Sequence, residues 1–61
     1  MKVRDVIKLV QKDGWKLVRM KGDHRHYHHP SKSGIVTIAG HSGDDVKAGT
    51  LSSILKQAGV K

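Results

Sequence analysis

His24, His26 and His28 occupy alternate positions in the stretch Lys21-Gly22-Asp23-His24-Arg25-His26-Tyr27-His28-His29-Pro30. The stretch holds four of the five histidines, the only tyrosine and the only proline of the chain, and it lacks bulky aliphatic residues. A packed core does not select such a segment, because buried imidazole and guanidinium groups need partners or cost stability. Side chains alternate across a strand, so His24, His26 and His28 share one face, while Arg25, Tyr27 and His29 share the other. Imidazole, titrating near pH 6.5, serves as either acid or base at neutral pH. RNA carries its own nucleophile, the 2′-hydroxyl beside each phosphodiester. Cleaving it requires a base for that proton, an acid for the departing 5′-oxygen, and cations for the charge that grows on the phosphorane. Histidines, lysine and arginine supply these roles, and the scheme calls for no metal and no cofactor.

A metal site is the other use of clustered histidines. Neighbours on one strand face stand roughly 6.5–7 Å apart, just close enough to share an ion. No acidic or thiol ligand is nearby to complete the set, and the surrounding positive charge repels a divalent cation. The sequence therefore points to adventitious metal binding at most.

Several elements must position these groups. Val3, Val6, Ile7 and Val10 recur at the spacing of one helical face, which predicts a helix over residues 1–13 closed by Gly14. Residues 15–21 read as a first strand, Gly22-Asp23 as a two-residue hairpin turn, and residues 24–29 as a second strand. Pro30 to Gly34 reads as a loop, and the β-branched run Ile35 to Ala39 as a third strand. Gly40 to Gly49 reads as a loop. Thr50 is the expected cap of a last helix that carries Leu51, Ile54, Leu55 and Ala58 and ends at Gly59. The expected fold is α+β, a single small α-β-β-β-α domain over residues 1–61. Its three-stranded antiparallel sheet has both helices on one face, like a double-stranded RNA-binding domain.

Tyr27 is the one large apolar body of the second strand and belongs against the helices, which leaves the three alternate histidines on the open face. A two-residue turn sets Lys21 opposite His24 and Arg19 opposite His26, with paired β-carbons about 5 Å apart. The same register turns Trp15 and Leu17 toward that open face, which counts against it; a bulge or a longer turn would change the partners. Asp23 serves either as a turn residue or to orient His24. His41 lies in a loop whose relation to the strand is not legible. The candidate catalytic residue is His24, with His26, Lys21 and Asp23 as helpers. Arg19, Lys21, Arg25 and His28 are the candidate RNA contacts.

Composition narrows the setting. Twelve Lys or Arg against five Asp or Glu give a net charge of +7. Such a surface suits a polyanion or an acidic protein, with strong salt dependence in either case. There is no cysteine, which excludes disulfides and thiolate metal sites and fits a cytoplasmic protein. No apolar run approaches the roughly 20 residues that span a bilayer, so no membrane partner is expected.

The ordered set Gly14-Trp15, Lys21-Gly22-Asp23-His24, His29-Pro30, Gly49-Thr50-Leu51 and Ser53 to Gly59 resembles the HicA toxin family, over nearly the whole chain. The resemblance implies a fold like the double-stranded RNA-binding domain and metal-independent cleavage of mRNA, with no DNA partner for the toxin alone. It implies one essential histidine, here His24, and a HicB-type antitoxin that buries the histidine face. Family members often carry Gly-Ser-His at the turn; Gly22-Asp23-His24 stands there in this chain. An aspartate at that place can fix the imidazole's tautomer. The readings that compete with a nuclease are a non-catalytic RNA-binding module and a protein whose basic face meets only an acidic partner.

Overall fold

The computed structural model describes residues 1–60. A first helix, α1 (Val3–Lys12), leads into strands β1 (Lys16–Lys21), β2 (His24–His28) and β3 (Ile35–Ala39), and a second helix, α2 (Ala48–Ala58), follows. The sheet is antiparallel in the order β1-β2-β3, so the architecture is the α+β arrangement expected.

The predicted apolar face of α1 is the buried one. Val3, Val6 and Val10 pack with Trp15, Tyr27, Val36, Ile38, Ile54 and Ala58 in one core. Both helices lie on the sheet face that carries Tyr27, Val36 and Ile38. The first amide groups of α1 are satisfied from a distant loop, with Val3 donating to the Asp44 carbonyl and Arg4 to that of Ser42. The Asp5 carboxylate accepts the Lys2 amide at 3.3 Å, half of a reciprocal capping arrangement.

The boundaries differ from expectation at several places. Helix α1 runs over Val3–Lys12 rather than residues 1–13. Strand β1 starts at Lys16 rather than Trp15, and β2 stops at His28 rather than His29. Helix α2 begins at Ala48, with extended Lys47 as its cap, so Thr50 lies inside the first turn instead of capping it. Gly49 is thus helical; the first turn tolerates it because few intrahelical bonds rest on that turn. The end at Gly59 is as expected, with φ 67° and the Val60 amide returning to the Leu55 carbonyl at 2.9 Å.

The chain between the helices is locked by His29, Asp13 and Lys32. His29 is buried beside Trp15, ring centroids 5.3 Å apart and edge to face. Its Nδ1 accepts the amides of Ser31 at 3.0 Å and Lys32 at 3.1 Å, so Nε2 carries the proton and donates to the Asp13 carbonyl at 2.8 Å. Gly14 makes room for this ring. Its φ is +110°, and an added β-carbon would sit 2.8 Å from His29 Nε2.

Lys32 Nζ meets the Asp13 carboxylate at 2.6 Å and the Ala58 carbonyl at 3.1 Å, tying the loop to both helix ends. The ammonium holds the Asp13 carboxyl below its usual range, as Lys2 does for Asp45. A lowered folded value means that this stability is complete above the unfolded value of about 3.9 and is lost as pH falls through the folded one. Asp13→Asn is therefore expected to flatten the loss of melting temperature below about pH 4. An unchanged acid limb in thermal melts would refute this assignment.

Candidate nucleic-acid interface and active site

The hairpin turn sets the geometry of the site. Gly22 has φ +60°, while Asp23 has a negative φ, the pattern of a type II′ turn with glycine at its first central position. Such a turn closes β1 on β2 with Lys21 opposite His24 and Arg19 opposite His26, as expected. The pairing then slips. Leu17 faces Tyr27 and Lys16 faces His28, so Val18 is an extra residue in β1. The bulge removes the conflict in the unbroken register, because it frees Trp15 to turn into the core. There its indole N–H donates to the Ala58 carbonyl at 3.1 Å.

On the other side of β2, His24 pairs with Ala39, His26 with Thr37 and His28 with Ile35. The face away from the helices therefore carries His24, His26 and His28 down its centre and Lys16, Arg19 and Lys21 along one edge. The helices pack chiefly on β3, and β1 is exposed along its whole length.

His24 is held rather than free. Its Nδ1 lies 3.0 Å from the Asp23 carboxylate oxygen. The carboxylate accepts, so Nδ1 carries a proton and Nε2 is the nitrogen left for chemistry. Both side chains are about half exposed. His26 Nδ1 stands 3.0 Å from the Thr37 hydroxyl, which sets the plane of that ring. His28 is exposed beside Lys16 and Ile35. For a reaction in which His24 transfers a proton, Asp23→Ala is expected to lower the rate roughly tenfold through loss of this orientation, while Asp23→Asn, which keeps the acceptor oxygen, retains most of it. Equal rates for the alanine variant and the wild type would show that Asp23 is a turn residue only.

Arg25 does not join this surface. It sits half-buried on the opposite side of β2, where its guanidinium donates to the Gly40 carbonyl at 2.8 Å. Of the candidate RNA contacts, it therefore lies on the face opposite Arg19, Lys21 and His28, the face that strand alternation assigned to it with Tyr27. His41 begins the loop that leaves β3 at the turn end of the sheet, and its amide donates to the Asp44 carboxylate at 3.0 Å. His29 shares no strand face with Tyr27, having left the strand for the structural role described above.

Three residues of the site were not singled out by sequence: Thr37, Val18 and Ile35. The clash in the unbroken register was the one available sign of Val18. Among the described residues, no group of three or more His, Asp or Glu side chains is arranged to hold a metal ion. Among them, too, no helix is long and apolar enough to cross a membrane.

Residues 3–60 match a family model described as the HicA toxin of bacterial toxin-antitoxin. No curated protein matches the chain.

Proposed function

The chain belongs to the HicA toxin family, and from that premise we propose that it is a metal-independent endoribonuclease acting on mRNA, with His24 as its general acid or base. The observation that carries this reading is the His24–Asp23 contact on a sheet face edged by Arg19 and Lys21. In the proposed reaction the 2′-oxygen bonds to phosphorus and the bond from phosphorus to the 5′-oxygen breaks. The products are a 2′,3′-cyclic phosphate and a 5′-hydroxyl. One imidazole takes the 2′-hydroxyl proton and a second group returns a proton to the 5′-oxygen. His24 acts through Nε2. His26 is the candidate for the other transfer, one strand repeat of roughly 6.5–7 Å away. Lys21 and Arg19 stabilise the phosphorane charge.

A HicB-type antitoxin is the proposed inhibitor, covering the histidine face and offsetting part of the net charge of +7. The site of action is the cytoplasm, where mRNA is found.

The test is purified protein incubated with RNA and excess chelator. Fragments ending in cyclic phosphate support the reading. RNA that stays intact but bound would instead identify a non-catalytic RNA-binding module, and RNA neither cut nor bound would leave only the protein-partner reading. The basic edge has its own expected outcome: Arg19→Ala and Lys21→Ala should each lower the slope of log affinity against log salt by about one. A slope unchanged in both variants would remove them from the phosphate contacts.

A further inference from the structure

A shallow depression of about 250 Å³ lies on the histidine face, lined by Val18, Arg19, His26 and Ile35. It spans the sheet: Val18 and Arg19 come from β1, His26 from β2 and Ile35 from β3. The bulge creates it. With one extra residue in β1, Val18 joins Arg19 opposite His26 instead of turning to the other face, and bulges commonly re-aim side chains in this way. Val18 and Ile35 are 59% and 43% exposed, so two exposed aliphatic side chains flank a half-buried imidazole. The Thr37 hydroxyl holds that imidazole in one plane.

Aliphatic walls, an oriented imidazole and a guanidinium suit a flat ring with two apolar faces and a polar rim, attached to an anion. An unstacked nucleobase has that chemistry, and both imidazole and guanidinium planes stack on bases. An aliphatic anchor from a protein would leave the guanidinium and imidazole without suitable partners. We infer that Val18, Arg19, His26 and Ile35 form a subsite for one unstacked RNA base, adjacent to the phosphate held at His24. This rests on the RNA-directed reading above. The depression presents stacking surfaces rather than a set of directed base-edge partners, so it selects for the presence and size of a base more than its identity. Purines, with the larger stacking surface, are favoured over pyrimidines.

The experiment measures binding alone, with 2′-O-methyl oligonucleotides that lack the nucleophile and cannot be cut. Oligoadenylate is compared with an abasic oligomer of equal length and charge. Wild type is expected to bind oligoadenylate about tenfold tighter, in keeping with the contribution of a single stacked base. The double variant Val18→Ser, Ile35→Ser binds both oligomers alike, at the abasic affinity. Both positions are exposed, and far-ultraviolet circular dichroism verifies the fold; Val18→Ser alone, with a partial loss of preference, serves if the double variant is unfolded. Lys21→Ala weakens both oligomers equally.

A wild type without preference for the base-bearing oligomer overturns the subsite, as does a folded double variant that keeps it. Unchanged preference combined with weakened binding of purified antitoxin assigns the patch to a protein partner and also overturns it. Because the oligomers cannot react, base preference without any cleavage of ordinary RNA would retain the subsite while removing the nuclease reading.

Discussion

His24→Ala is expected to lower RNA cleavage by about 10²–10⁴-fold, the usual contribution of a positioned proton-transfer group. The protein should remain folded, because His24 is about half exposed and, among the described residues, its side-chain partner is the neighbouring Asp23 alone. RNA affinity should change little at neutral pH, since Arg19 and Lys21 remain on the same edge. Single-turnover cleavage, oligonucleotide binding and growth arrest on expression distinguish these effects. Loss of cleavage with binding retained is the signature of a catalytic histidine. Undiminished cleavage by a folded His24→Ala protein would remove the assignment. His26→Ala is the companion variant: a loss comparable to that of His24→Ala supports the second proton transfer, and a loss confined to binding places His26 in the base subsite alone.

The second large effect is on stability. Trp15→Ala is expected to cost about 3–5 kcal/mol, the range for deleting a buried aromatic side chain. At roughly 0.05–0.15 kcal/mol per residue, a domain of this size has only about 3–9 kcal/mol in total. The variant should therefore be largely unfolded at 37 °C. Trp15 is 2% exposed, packs edge to face with His29 and donates to the Ala58 carbonyl. Trp15→Phe retains most of the volume and loses that hydrogen bond. The Ala58 carbonyl keeps Lys32 Nζ as a partner, so the phenylalanine variant should cost only about 1–2 kcal/mol. Urea unfolding of the three proteins checks the order. A Trp15→Ala protein within 1 kcal/mol of wild type would show that the junction of α1, β1 and α2 does not depend on the indole.

Much of the fold was legible because it follows from short-range rules. The face of α1 was readable from Val3, Val6 and Val10, whose helical spacing survives any tertiary context that needs one buried stripe. The hairpin was readable from Gly22-Asp23, because a two-residue turn sets the register of the pairs nearest to it. That is why Lys21 opposite His24 and Arg19 opposite His26 were correct. Farther from the turn the reading failed at Val18, since a bulge is decided by which residues the core must receive. Trp15 has to reach Ala58, 43 positions away, and the strand yields one residue to allow it.

Thr50 misled for a related reason. Its side chain is suited to capping, but the extended Lys47 had already started the helix a turn earlier.

The alternation of His24, His26 and His28, the turn that precedes them and the basic residues of β1 were determined by the sequence alone. Strand period and turn chemistry act over a few residues, so they give the histidine face and its edge without reference to anything distant. Tertiary structure decided what each group does there. It set Asp23 against His24, so that one imidazole nitrogen is orienting and the other is free, and it set Thr37 against His26. It took His29 out of the apparent cluster and buried it between Asp13 and the Pro30–Gly34 loop. It turned Arg25 to the Gly40 carbonyl and brought Val18 round to face Ile35. Apart from the contact between neighbours Asp23 and His24 and the Ser31 and Lys32 amides on His29, the partners lie far along the chain or on another strand, where no local periodicity reaches.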